Sequence, residues 1–316
     1  MNPTLQGYAA AVLEAADASA LRTIADDLAA IERQALSNAP LRAALTDTSV
    51  PGTARRAVVL DLLEGRVSGQ ARRLAAFACF AVRAPEVPAA LGWLATRAWH
   101  AAEGRTEEEP PLSLTGARER VGGYATALHE DMSTAQLESL EDDLFRFSRT
   151  VATAAGLRGA LTDRDLDSAA RQGLVTALLE GKVPVTTQAL VRYSVAGGRA
   201  RDFVGTLNFL VERTAAARGW RIAEVRAAAP IDEGQRTALQ DSLAAVAGQP
   251  VELQVVIDEA LLSGALIRIG DLQVDATARG RIDALREHLV PSGWQETTFG
   301  RAGRGTTTTE ETEGAH

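Results

Sequence analysis

Leu41–Asp47 reads LRAALTD, and Leu157–Asp163 reads LRGALTD. Beyond them, Leu62–Val67 reads LLEGRV and Leu178–Val183 reads LLEGKV, with Gly7-Tyr8-Ala9 returning as Gly123-Tyr124-Ala125. Every pair keeps one offset of 116 positions, 41 against 157 and 62 against 178. Roughly a third of the positions between 7 and 103 match their partner without a gap, the mark of one folding unit present twice. A unit of about 100 residues has the size of a domain, and two copies fall short of the about three that a solenoid needs. The chain therefore reads as two tandem globular lobes followed by something different.

Each copy has the apolar spacing of helices. Leu5, Tyr8 and Val12 share one face of a first helix, and Val121, Tyr124 and Leu128 are their counterparts. In the second helix Leu21, Ile24, Leu28 and Ile31 are mirrored by Leu137, Leu140, Leu144 and Phe147. Asp26-Asp27 and Asp142-Asp143 read as solvated faces of those helices. Pro40 and Gly156 break the pattern before the short LRxALTD segment, whose closing Asp47 or Asp163 caps or turns the chain. A fourth helix carries Val58, Val59, Leu62 and Leu63 and stops at Gly65 (Gly181 in the second copy). A fifth holds Leu74 and Phe77, matched by Leu190 and Tyr193. A sixth holds Val87, Leu91 and Leu94, matched by Phe203, Leu207 and Leu210. The expectation is mainly α: two six-helix bundles over 1–102 and 117–219, joined by an acidic, proline-bearing linker at 103–116 that keeps them apart in solvent.

After Gly219 the period shortens to two. Trp220–Ala227 and Val251–Ile257 are strand candidates flanking a helix at Glu233–Ala247, with Leu239, Leu243 and Val246 on its inner side. Leu266–Val274 reads as a hairpin around Gly270-Asp271, followed by a helix at Thr277–Leu289. These make an α+β domain over 220–290, and the Gly/Thr/Glu-rich residues 291–316 read as a disordered tail.

Composition narrows the function. A formal charge of −8 argues against a nucleic-acid binder, which relies on clustered Lys and Arg. Cys79 is the one cysteine, so neither an intrachain disulfide nor a multi-cysteine metal site is available, and its apolar surroundings read as those of a buried, inert thiol. His100, His129, His288 and His316 are scattered, none at metal-ligand spacing. Gly181-Lys182 lacks the earlier glycine and the following Ser or Thr of a phosphate loop, and it ends a helix. Leu74–Val82, the longest apolar run, falls far short of the about 20 residues that cross a bilayer. No catalytic residue, cofactor or metal site emerges, and no signal peptide is visible, which points to an intracellular, non-enzymatic protein.

Taken together, the GYAxA start, LRxALTD, LLEGKV, Gly198-Arg199 and the closing run IDEALLSGALIRIGDLQVDATARGRIDALREHL resemble the δ subunit of bacterial F-type ATP synthase. That subunit is the relative of the mitochondrial oligomycin-sensitivity-conferring protein. Within the closing run, Ser263-Gly264 stands where the family usually has two glycines, and Ala276-Thr277 where it has Gly-Ser. The resemblance covers residues 117 to about 289 as an ordinary δ subunit, and residues 1–102 are an added lobe, as in certain actinobacterial δ sequences. It implies a non-catalytic stator subunit tying the catalytic head to the peripheral stalk, peripheral on the cytoplasmic face of the cell membrane, without inserting into it. The implied partners are the N-terminal helix of an α subunit, the C-terminal end of the b subunit and other subunits of the head. Carried over by position, the α-helix groove falls on Tyr124, Ala127, Leu190 and Tyr193. Tyr8, Ala11, Leu74 and Phe77 form a possible second groove in the first lobe. The phenols of Tyr124 and Tyr193 suggest a half-exposed site and the small Ala127 lets a helix approach, although the same residues could serve the lobe's own core. A free-standing helical adaptor derived from such a subunit, serving another assembly, is the competing reading.

Overall fold

The computed structural model describes residues 1–105, 111–163, 165–248, 250–258, 260–261, 263–269 and 272–275. Among them are thirteen α-helices and four strands. The first lobe comprises α1 (Pro3–Glu14), α2 (Ala18–Ser37), α3 (Ala39–Thr46), α4 (Gly52–Leu62), α5 (Gly69–Ala81) and α6 (Val87–Ala102). The second repeats it as α7 (Leu114–His129), α8 (Thr134–Thr153), α9 (Ala155–Thr162), α10 (Ser168–Leu179), α11 (Val185–Gly197) and α12 (Phe203–Ala217). Helix α7 starts inside the predicted linker. The acidic residues Glu107–Glu109, with Pro110, lie outside the described residues.

Local chemistry explains where the helices begin and end. Asp17 starts α2 by accepting from the backbone N–H of Ser19 and Ala20; Ser133, the equivalent position, starts α8 in a capping box with Gln136. Pro40 does not break a helix but occupies the first turn of α3, where its missing N–H costs nothing, with Asn38 as the cap. Asp47 and Asp163 turn the chain as expected, each side chain accepting from the backbone N–H two residues on. Gly65 and Gly181 lie beyond the ends of α4 and α10 at φ 64° and 70°, a left-handed geometry that suits glycine. Beside Gly181, the Lys182 ammonium donates to the Leu178 carbonyl at 2.9 Å, a helix-end role with no phosphate-loop geometry.

The apolar stripes of the sequence form the cores. Ile24, Leu28, Leu74 and Leu94 are fully buried in the first lobe, as are Leu144, Leu190, Leu207 and Leu210 in the second. Cys79 lies in the first core, and burial pushes its thiol up to about 12, which leaves it unreactive. The aspartate pairs behave differently from the expectation. Asp26 and Asp142 are exposed, but Asp27 is half-buried and Asp143 buried, because each reaches toward the start of the fifth helix of its lobe.

The chain divides into two compact units. One comprises Met1–Ile222 with Gln240–Glu252; the other comprises Ala223–Leu239 and the described residues from Leu253 on. Strands β1 (Arg221–Ala227), β2 (Val251–Ile257), β3 (Ala265–Ile269) and β4 (Leu272–Asp275) form one sheet in the order β2-β1-β3-β4. β3 pairs antiparallel with both β1 and β4, Val225 facing Ile267 and Ile269 facing Leu272. Helix α13 (Glu233–Ala247) joins β1 to β2 and buries Leu243. In β1 the buried side is Ala223, Val225 and Ala227, and Ile222 falls on the opposite face, since residues three apart in a strand cannot share one. The predicted turn Gly270-Asp271, the helix at 277–289 and the tail at 291–316 lie outside the described residues.

Candidate functional site

The eight positions assigned to two helix-binding grooves lie on the first and fifth helices of each lobe, and all are buried. Tyr8 and Leu74 are wholly inaccessible, Phe77 nearly so, and even Tyr193 retains only 8% of its surface. Two contacts explain this. Within each lobe the aromatic pair stacks across the first and fifth helices: Tyr8 on Phe77 with centroids 3.7 Å apart, and Tyr124 on Tyr193 at 4.2 Å. Between lobes, α1 packs directly against α7. The half-exposed phenols expected from the sequence are therefore corrected, and so is the picture of two lobes held apart by solvent.

The contact between the lobes is reciprocal. Tyr8 donates its hydroxyl to Glu130 at 2.5 Å, and Tyr124 donates to Glu14 at 2.8 Å. Tyr124 is the repeat equivalent of Tyr8, and Glu130 that of Glu14, so the two bonds are exchanged by the offset that relates the lobes. The backbone follows the same rule. A Cβ placed on Gly7 would stand 1.7 Å from the Arg120 carbonyl oxygen, and one on Gly123 would stand 2.0 Å from that of Thr4. Arg120 and Thr4 are again equivalents. Contact in which residue i meets j and j meets i is the property of a two-fold interface, here built inside one chain. Only glycine permits backbones to approach so closely.

Charge completes the arrangement. Glu130 accepts from Arg56 at 2.6 Å and Arg73 at 3.3 Å; Arg73 also donates to Asp131 at 2.7 Å and to the Ala127 carbonyl at 3.0 Å. On the other side Arg192 of α11 pairs with Glu14. Burial first, and then the neighbouring Glu130, raises the Tyr8 phenol above its usual range; burial, with Tyr193 nearby, does the same for Tyr124. Both phenols stay protonated and act as donors to carboxylates. Glu14 and Arg192 also border an open cleft of about 320 Å³ with Ala11, Tyr124 and Gln188, where α1, α7 and α11 come together.

Sequence reasoning named the aromatics but missed Gly7, Gly123, Glu14, Glu130 and Arg73. A signal existed: glycine inside a helix costs about 1 kcal/mol relative to alanine, so a glycine kept in both copies marks close backbone approach. Among the described residues no group of three or more potential ligands could hold a metal, and no helix is long and apolar enough to cross a membrane.

Comparison with known proteins gives the family. The model described as ATP synthase delta (OSCP) subunit matches in two pieces, residues 5–92 and 121–289. The first piece lies in the first lobe, and the second runs from the second lobe through the sheet. The chain is 34% identical to ATP synthase subunit delta of Nocardia farcinica over 250 residues, 79% of this chain and 83% of that one. It is 32% identical over 270 residues to the subunits of the same name from Parafrankia sp. (85% and 88% covered) and Beutenbergia cavernae (85% and 90%). With the family model matching well over half of its length and in both lobes, the chain belongs to the ATP synthase delta (OSCP) subunit family.

Proposed function

We propose that the chain is a non-catalytic stator subunit of the F-type ATP synthase, linking the catalytic head to the peripheral stalk on the cytoplasmic face of the cell membrane. The observation that carries this is the family match, which takes in both the helical body and the α+β unit. In this reading the helical body engages the head through the N-terminal helix of an α subunit, and the α+β unit engages the C-terminal end of b. The docking face for the α helix is that of α7 and α11, with Tyr124, Ala127, Leu190 and Tyr193; Tyr8, Ala11, Leu74 and Phe77 of α1 and α5 are the equivalent second face. An aromatic pair beside an alanine suits a helix laid into a groove.

The test is depletion and return. Membranes of the source organism stripped of this chain should hydrolyse ATP without pumping protons, and adding the purified chain should restore ATP-driven acidification measured by a quenched fluorescent amine. The chain alone should hydrolyse no ATP. If it neither co-purifies with the synthase nor restores coupling, the stator reading fails and a free-standing adaptor takes its place.

A further inference from the structure

We infer that the first lobe is a built-in occupant of the second lobe's helix-docking face, so that a partner helix gains that face only when the lobes part. Three observations carry it. Helix α1 lies against α7 and reaches α11 through the Glu14–Arg192 pair, the same two helices that frame the proposed docking face. The reciprocal bonds Tyr8–Glu130 and Tyr124–Glu14 take up one phenol of each lobe's face, Tyr124 of the docking face among them. The approach at Gly7 and Gly123 is too close for any side chain, so no helix can be interposed while the lobes are closed. An open two-lobed body would leave these groups in water, and the matched pair of bonds would have no function.

The consequence is a closed form that competes with its partner. If only a fraction of molecules is open, the apparent dissociation constant for an incoming helix rises by the inverse of that fraction. In naming the competitor as a helix of the α subunit the inference rests on the proposed function; the seating of α1 on α7 does not.

Gly7→Ala provides the test, because the three atoms nearest a new Cβ belong to α7, while alanine favours the α1 helix itself. Two measurements are made on the full chain, wild type and G7A. Hydrogen exchange followed by mass spectrometry reads the amides of α1 and α7, and calorimetry reads binding of a synthetic peptide of the α-subunit N-terminal helix. The expected result is faster exchange in both helices of G7A and peptide affinity at least tenfold tighter than for wild type. Unchanged exchange with equal peptide affinity overturns the inference. Faster exchange without peptide binding to either protein upholds the seating of α1 on α7 but removes the docking reading and the competition with it. Should G7A fail to fold, the double variant Tyr8→Phe, Tyr124→Phe removes both hydroxyls without adding an atom, and a smaller shift in the same two readouts is expected.

Discussion

The two lobes began as one design, and they differ most clearly at the start of their fifth helices. In the first lobe Asp27 accepts the backbone N–H of Ser68, the cap of α5, at 2.7 Å. In the second, Pro184 stands in place of Ser68 and has no N–H to give. Asp143, the equivalent of Asp27, accepts instead from the Thr187 hydroxyl at 3.4 Å and from Arg146 at 2.5 Å. The cores have drifted as well: Phe147 meets Phe203 edge-on with centroids 6.4 Å apart, where the first lobe has Ile31 and Val87. Ile31 instead borders an open apolar cleft of about 540 Å³ with Leu41, Leu45, Val59 and Leu63. Against this drift, Gly7, Tyr8 and Glu14 return unchanged as Gly123, Tyr124 and Glu130. These three are among the positions the lobes retain in common, and through them the lobes hold each other.

If the lobes form one cooperative body, damage to either core should be felt by both. Leu28→Ala and Leu144→Ala each remove a fully buried side chain and leave a cavity, at an expected cost of about 3–5 kcal/mol. Urea unfolding followed by helix signal should show one transition for the helical body in the wild type and in both variants, moved to lower urea by similar amounts. Two separated transitions in Leu28→Ala, one at the wild-type midpoint, would show that the second lobe stands without the first.

A buried charge distinguishes the lobes next. Glu141 is 1% exposed, and its equivalent in the first lobe is Ala25. Arg218 reaches Glu141 at 3.0 Å and also pairs with Glu252. Burial, reinforced by the charge of Glu252 and opposed by Arg218, holds the Glu141 carboxyl up at about 7 against an ordinary value of 4.5. Between these values the folded chain holds a proton that the unfolded chain has lost, so stability falls as pH rises through that window. His129 works in the opposite sense. Burial, with Arg213 nearby, depresses it from 6.5 to about 4, so its contribution is lost as pH falls through that range. The Glu141 part is isolated by subtraction. The stability of Glu141→Gln minus that of wild type should grow by on the order of 2 kcal/mol from pH 5 to pH 8 in urea titrations. A difference independent of pH would mean that Glu141 is ionised throughout.

Much of the fold was legible because periodicity and punctuation agreed. α13 and β2 fall on the residues the pattern marked, Glu233–Ala247 and Val251–Ile257, and the repeat offset placed each helix of the second lobe from its partner in the first. Two departures have physical causes. Pro40 interrupts the pattern without breaking a helix, because proline suits the first turn of a helix as well as its end. The phenols of Tyr124 and Tyr193 suggest half-exposure, but the hydroxyls of Tyr8 and Tyr124 find their partners within the protein. Their partners are Glu130 and Glu14, 122 and 110 residues away. Pairing over such distances depends on how two folded surfaces meet, and hydropathy along one helix carries no record of it.

The smallest effect expected concerns the aspartates with which the lobes part company. Asp27 is half-buried and satisfies one N–H at a helix start; losing such a cap costs typically ~1 kcal/mol, with water able to replace part of it. Asp143 is 7% exposed, and its removal would leave the wholly buried Thr187 hydroxyl without this acceptor. An unsatisfied buried donor costs about 1–3 kcal/mol. Asp143→Ala should therefore destabilise more than Asp27→Ala, by urea midpoint at constant slope. Pro184→Ser supplies a sharper form of the same comparison, since it returns to the second lobe the N–H that Asp27 uses in the first. If Asp143 turns to that N–H, Asp143→Ala in the Pro184→Ser background should cost more than in the wild type. An unchanged cost would mean that the Thr187 contact, and not the missing donor of proline, determines where Asp143 points.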